Sequence, residues 1–234
     1  MTFLQLPIGL PRIAQDGEIL NSTARLGRYI GSGRHGTAHE GILNGERVCF
    51  KRYHFSWSHA LTSNPAKSEY DRLTEARQNL KEIADSMQFP IGWYRDPVAG
   101  TVLVSRLVQD YTDAPSQSLK HTSGISESFV HQLEHIFGIL AAKEALYNPV
   151  AANILVQRTS QTESHPVLID FTNYESYMHY MGKRVAHFLS PESKRLHITA
   201  WHESTLTIAR SKVVESPTPS LDELRLPPRL PLPL

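Results

Sequence analysis

Short apolar stretches bounded by turn residues occupy much of the first half of this chain, and they predict strands. The predicted strands lie at 26–30, 38–43, 47–53 and 101–107. Asn44 and Gly45 separate the second strand from the third. This dipeptide is a strong signal for a two-residue hairpin, because both turn positions need a positive φ. The pattern therefore predicts an antiparallel sheet in this half.

Two stretches show the three- and four-residue spacing of helices. The first opens at Asn64 and Pro65, and its apolar positions are Tyr70, Leu73, Leu80 and Ile83. The second runs over 126–145 with one broad apolar face. That face consists of Phe129, Leu133, Ile136, Phe137, Leu140 and Ala141.

Both ends of the chain lack such periodicity. Residues 1–24 are predicted to form an irregular lead-in. From Glu215 onward the chain is rich in proline, which supplies no backbone donor, so an exposed extended tail is expected. Residues 225–231 of this tail formally match an SH3-type ligand, but short proline-rich matches are common by chance, which favours a disordered terminus.

Composition narrows the class of protein. The chain has 234 residues, of which 40% are hydrophobic, which suits one or two domains with a real core. A net charge of +1 gives no reason to expect nucleic acid as a partner. No apolar run reaches the roughly 18 residues of a membrane span. Cys49 is the single cysteine, which excludes an internal disulfide and is compatible with a reducing cytoplasm. Residues 1–16 have no basic region ahead of an apolar stretch, so no signal peptide is expected.

The first candidate chemistry is a glycine-rich turn followed by a lysine. Gly31, Gly33 and Gly36 would let backbone N–H groups approach phosphate oxygens without a Cβ in the way. By itself the pattern also describes an ordinary hairpin. Lys51 follows about 20 residues later inside an apolar strand, which favours phosphate binding over a surface lysine with a buried stem.

A lysine in that role needs a carboxylate that holds it. Glu69 and Glu75 both lie on the first predicted helix, and Glu69 has the better spacing from Lys51. A solvated helix face would have the same sequence. We expect a Lys51–Glu69 pair that directs the lysine to the α- and β-phosphates.

Two further polar residues flank a predicted hairpin. Asn153 enters one strand, Asp170 ends the next, and the polar segment 158–165 joins the strands. This topology brings Asn153 and Asp170 to the same side of the sheet. Their oxygens suit magnesium, whereas the alternative is that Asn153 caps a turn and Asp170 begins a loop.

Together these residues resemble the nucleotide site of the protein-kinase-like superfamily. In that comparison Asn153 is the catalytic-loop asparagine and Asp170 the metal-binding aspartate. The resemblance implies ATP and Mg²⁺ as cofactors. The catalytic position, five residues before Asn153, is Asn148, which cannot accept a proton as a carboxylate does. The residues around it differ too, with Leu146 in place of histidine and Thr172 in place of glycine.

Within this superfamily the chain is most similar to the YrbL family, the PhoP regulatory network proteins. The similarity covers roughly residues 25–205, and its most specific part is 102–119. It implies an α+β, bilobal fold with a small antiparallel-sheet N-lobe and a reduced helical C-lobe. The corresponding boundaries are 1–24 for the lead-in, 25–107 for the N-lobe, 108–214 for the C-lobe and 215–234 for the tail.

Two functional hypotheses follow. In one, the chain is a pseudokinase that binds a nucleotide or regulates a protein partner of unknown identity. In the other, it is an ATP-dependent phosphotransferase with an altered catalytic loop, since positioning and charge stabilisation carry most of phosphoryl transfer. Asn148 favours the first hypothesis, whereas the combination of Lys51, Asn153 and Asp170 favours the second.

Overall fold

The structure is a computed structural model, and the part of the chain that it describes is discontinuous. The described residues are 12–20, 24–33, 36–54, 64–96, 100–143, 145, 150–170 and 191–214. Asn148 lies outside them, together with Leu146, Thr172, the first 11 residues and the proline-rich tail. The predictions made for those positions therefore remain predictions.

A five-stranded antiparallel sheet forms the first lobe, here called the sheet lobe. Its strands are β3 (Ala24–Ser32), β4 (Gly36–Leu43), β5 (Glu46–Tyr53), β6 (Pro90–Asp96) and β7 (Gly100–Arg106). Their spatial order is β3-β4-β5-β7-β6. Asn44 and Gly45 have φ values of 53° and 92°, so the predicted hairpin turn is confirmed.

The lead-in is not irregular throughout. Strands β1 (Arg12–Ile13) and β2 (Ile19–Leu20) pair as a short ribbon beside β6. Trp93 anchors the ribbon: its backbone N–H donates to Gly17 O at 2.9 Å, and its indole N–H donates to Asp16 O at 3.0 Å. Two-residue strands leave too little periodicity to be recognised in the sequence, which is why the irregular assignment is wrong here.

Helix α1 (Pro65–Asn79) lies beside the sheet lobe. Its first turn is capped by Asn64, whose Oδ1 accepts a hydrogen bond from Lys67 N at 2.9 Å. The predicted helical spacing continued to Ile83, but the helix ends at Asn79 and a 3₁₀ turn follows (Lys81–Ser86). Ile83 is still buried, because the turn keeps it against the core.

The second lobe, here called the helical lobe, is built around α2 (Glu127–Ala142). The predicted helix at 126–145 is thus confirmed apart from its last residues. Its predicted apolar face supplies the core residues Phe129, Leu133, Ile136, Phe137 and Leu140. Helix α3 (Pro191–Arg210), which the sequence did not reveal, packs on α2.

A three-stranded sheet completes the helical lobe. Its strands are β8 (Gln117–Ser118), β9 (Ile154–Arg158) and β10 (Ser164–Leu168), with β9 in the centre. The chain therefore has the expected α+β architecture, with a small antiparallel-sheet lobe and a reduced helical lobe. None of the described helices combines the length and the hydropathy that crossing a membrane requires.

Candidate functional site

Lys51 and Glu69 form a buried ion pair between β5 and α1. Lys51 Nζ donates to both carboxylate oxygens of Glu69, at 2.8 Å to Oε1 and 2.7 Å to Oε2. Glu69 is only 1% exposed, and the side chain of Lys51 is 20% exposed. The expected Lys51–Glu69 contact is present, and the lysine keeps one side open to solvent.

Tyr53 is a third member of this cluster, and the sequence analysis did not identify it. Its hydroxyl donates to Glu69 Oε2 at 2.5 Å, and its ring centroid lies 5.4 Å from Lys51 Nζ. The spacing could have indicated this contact, because Lys51 and Tyr53 are two residues apart on one strand and therefore share a face. An aromatic residue after Lys51 was nevertheless indistinguishable from ordinary core packing.

The pKa values of this cluster reflect burial and mutual charge. Burial disfavours the charge on Lys51, but the carboxylates of Glu69 and Asp170 outweigh it and raise the pKa of the ammonium. Burial raises the pKa of the Glu69 carboxyl, and the Lys51 ammonium opposes part of that rise. Burial, followed by the Glu69 charge, raises the pKa of Tyr53. The tyrosine is therefore a neutral donor and the lysine a cation.

Asp170 reaches the same lysine from the helical lobe. β9 and β10 are antiparallel, with Ile154 opposite Leu168, so the predicted hairpin is confirmed. Ile169 N donates to Asn153 O at 2.9 Å, which holds the two ends of the hairpin together. Asp170 Oδ1 lies 3.3 Å from Lys51 Nζ, although 119 residues separate them in sequence.

The backbone of Asp170 is itself unusual. Its φ of 61° lies in the left-handed region, which residues other than glycine seldom adopt. Such conformations cost free energy and occur often at functional sites. Here the conformation accompanies a carboxylate that meets Lys51 and is 22% exposed. The chain thus holds a partly exposed carboxylate beside a partly exposed ammonium.

The residues present fit a magnesium ion whose remaining ligands are phosphate oxygens and water. Within the described part of the chain, no three His, Cys, Asp or Glu side chains form a group able to hold a metal by themselves. Magnesium differs from ions that need such a group, since it is usually bound by one or two protein oxygens, phosphate oxygens and water. Asn153 and Asp170, at the two ends of the hairpin, offer an amide oxygen and a carboxylate of that kind.

Gly31 lies in β3, Gly33 follows this strand and Gly36 begins β4, and the surroundings of the three glycines differ. Gly33 N donates to Gly36 O at 2.9 Å. A Cβ at Gly31 or Gly33 would meet no atom within 4 Å, so both backbones face open space. A Cβ at Gly36 would lie 2.2 Å from Arg52 O on β5, so this glycine is required by strand packing. Only the first two therefore leave room for a ligand.

Arg47, at the start of β5, links the two lobes. This role was not predicted from the sequence. Arg47 donates to the Glu40 carboxylate on β4 from Nε at 2.8 Å and also from Nη2. Its Nη1 donates to Asp113 O at 2.8 Å, in the connection that follows β7. Between Arg47 and Lys51 lies Cys49, whose thiol is kept neutral because burial raises its pKa to about 11.

Comparisons with known proteins give a fold likeness and no family. No family model matches the chain, and no curated protein matches its sequence. Among solved structures, the BubR1 kinase domain is similar at 17% identity with a TM-score of 0.45, over 73% of this chain and 51% of that one. Vaccinia related kinase 3 is similar at 15% identity with a TM-score of 0.41, over 71% and 52%. The chain thus spans about half of the length of these two structures.

Similarity at this level says nothing about activity. The described elements include a five-stranded antiparallel sheet, a helix that carries Glu69 to Lys51, and a hairpin that carries Asp170 to the same lysine. The fold is α+β, with a small antiparallel-sheet lobe and a reduced helical lobe.

Proposed function

We propose that this chain is a kinase-like nucleotide-binding protein that takes ATP with Mg²⁺ and acts by binding rather than by phosphoryl transfer. The observation that carries the proposal is the convergence of Glu69 and Asp170 on Lys51 Nζ, from two lobes and within 3.3 Å. An ordinary surface lysine has no need of two carboxylates, one of them buried. A lysine that is held in this way and open on one side suits phosphate oxygens.

Each candidate residue has a definite task in this proposal. Lys51 neutralises the α- and β-phosphates, and Glu69 fixes its direction. Asn153 and Asp170 would hold magnesium, which would offset the negative charge of the phosphates. Gly31 and Gly33 expose backbone beside the phosphates, where a side chain would obstruct the approach.

In this proposal, the amide of Asn148 at the position of the catalytic carboxylate is the reason to expect no phosphoryl transfer. An amide does not take the substrate proton, and general acid–base catalysis contributes typically 10²–10⁴-fold. A regulatory protein that signals to a protein partner needs no such base. The alternative function is an ATP-dependent phosphotransferase for a small molecule or a protein. What favours it is that Lys51, Asn153 and Asp170 are all retained.

Assignment to the YrbL family belongs to the same proposal. It is supported by the apolar strand, the Gln-Asp-Tyr step and the Pro-Ser element within 102–119. In the structure this stretch forms β7, the connection that accepts the Arg47 hydrogen bond, and β8. A role in a PhoP regulatory network would follow from membership of that family.

A thermal-shift titration tests the proposal, because a ligand that binds only the native state raises its stability. We expect ATP with magnesium to raise the melting temperature of the wild type more than ATP with EDTA does. Lys51→Ala should lose most of this shift relative to its own unliganded baseline. Lys67→Ala is the matched control, since Lys67 lies on the exposed side of α1 and pairs with Asp71. Equal shifts in both variants would refute the proposed site.

A further inference from the structure

The hydroxyl of Tyr53 occupies a position that the nucleotide site does not explain. Glu69 Oε2 accepts two hydrogen bonds, one from Lys51 Nζ at 2.7 Å and one from Tyr53 OH at 2.5 Å. Both donors come from β5, two residues apart on the same face of the strand. The carboxylate therefore accepts hydrogen bonds from two residues of the same strand.

This second donor matters because Glu69 is buried. A carboxylate that is 1% exposed has almost no water to bond, so its orientation depends on protein donors. Lys51 Nζ contacts both carboxylate oxygens, but an ammonium can donate its three N–H groups in many directions, so by itself it fixes the carboxylate only loosely. The phenol hydrogen bond removes that freedom. Tyr53 is fixed in turn by the small cluster of Ala66, Trp93, Leu103 and Tyr70.

We propose that Tyr53 is a positioning residue for the phosphate-binding lysine, acting through Glu69 and never touching the nucleotide. The expected effect on phosphate affinity rests on the proposed function, whereas the hydrogen bond from Tyr53 to Glu69 does not. Held by Tyr53, Glu69 keeps Lys51 Nζ in one place beside Asp170. Without the phenol, Lys51 should become more mobile and the affinity for phosphates should fall.

Tyr53→Phe tests this, since it deletes the hydroxyl but keeps the ring in its cluster. Tyr70→Phe is the matched control: it removes a hydroxyl from the same cluster without a bond to Glu69 among the described contacts. Both variants should melt within a few degrees of the wild type. A hydrogen bond to a charged group is strong enough that we expect about a tenfold weaker ATP–magnesium affinity in Tyr53→Phe. Adenosine, which has no phosphates, should bind both variants equally.

A second readout needs no nucleotide. The NMR order parameter of the Lys51 ammonium in the free protein should fall in Tyr53→Phe and stay unchanged in Tyr70→Phe. An unchanged order parameter would overturn the inference whatever the nucleotide data show. A lower order parameter with unchanged ATP affinity would overturn the consequence for phosphate binding. If the wild type binds neither ATP nor adenosine, the proposed function fails, while the order parameter still decides the role of Tyr53.

Discussion

Glu69 shows at the scale of a residue how the site is held together. Burying a carboxylate costs several kcal/mol, and the cost is offset only when a partner charge and further hydrogen bonds are in place. Glu69 has both, from Lys51 and Tyr53. Removing one partner of such a pair typically costs about 3–5 kcal/mol, because the other charge is left buried alone. The pair therefore fixes the geometry of the site, and losing either partner should destabilise the protein.

Asn148 carries the prediction that separates binding from catalysis. Asn148→Asp supplies the missing carboxylate, and in an otherwise intact kinase this would raise turnover by the 10²–10⁴-fold of acid–base catalysis. We predict that ATP turnover, measured as phosphate release, stays at background. Leu146 and Thr172 show that the surroundings of the base differ as well. The double variant Asn148→Asp with Asp170→Ala sets that background. A clear gain in the single variant would make the chain a crippled enzyme.

At the scale of elements, two glycines beside the β3–β4 connection should differ in how strongly an alanine destabilises the protein. Gly36→Ala places a Cβ 2.2 Å from a backbone oxygen of β5, so β4 and β5 must move apart. Overpacking of this kind costs about 1–3 kcal/mol. Gly33→Ala meets nothing and should leave the free energy of unfolding within about 0.5 kcal/mol. Urea denaturation of both variants measures the difference, and equal destabilisation would contradict the packing described for the turn.

The elements that the sequence predicted are those with a strong local signal. Asn44 and Gly45 mark the β4–β5 hairpin because their positive φ has few alternatives, and α2 shows because one whole face of it is core. Strand β6 lacks the alternation of apolar and polar residues that marks a strand, because the adjacent Trp93 and Tyr94 are both buried, on opposite faces. Helix α3 is largely polar and depends on α2 for its burial, so its own spacing indicates little.

The site was predictable in part for the same reason. Lys51, Asn153 and Asp170 follow a known spacing, and the β9–β10 hairpin brings the last two together by topology alone. Tyr53 and Arg47 have no motif. Their roles arise from contacts between elements, which depend on strand register and on the direction from which α1 approaches β5.

At the scale of the whole molecule, hydrogen bonds link the two lobes. Gln88 N donates to Leu168 O at 2.9 Å, and Arg47 Nη1 donates to Asp113 O at 2.8 Å. One core lies against the five-stranded sheet, whereas the core around α2 also takes in Leu73 of α1. Contacts between the lobes therefore help to hold the lysine beside the aspartate.

His202 gives the molecule a predicted dependence of stability on pH. It stacks on Phe137 between α3 and α2, is 5% exposed, and its Nε2 has no hydrogen-bond partner within the described part of the chain. Burial lowers its pKa to about 4 from an ordinary 6.5. Between these values the unfolded chain binds the extra proton, so stability falls as the pH drops from 6.5 toward 4.

The loss assigned to His202 should be on the order of 2–3 kcal/mol at pH 4. His202→Phe keeps the stacking without the titratable nitrogen, and it should lose correspondingly less stability between pH 7 and pH 4. Denaturant unfolding at the two pH values measures this, with His131→Gln as the control, because His131 is exposed on α2. If His202→Phe and the wild type lose equal stability, His202 is not the group responsible.

Calorimetric titration of ATP into the wild type and Asp170→Ala, each with magnesium and with EDTA, tests the central claim most directly. The wild type should bind one ATP, more tightly with magnesium, because in the proposed site Asp170 would supply a metal ligand beside Lys51. Asp170→Ala should bind with equal affinity under both conditions. Asp71→Ala, which removes an exposed carboxylate from α1, should behave as the wild type. Identical responses of the wild type and Asp170→Ala to magnesium, or no binding by the wild type, would contradict the account.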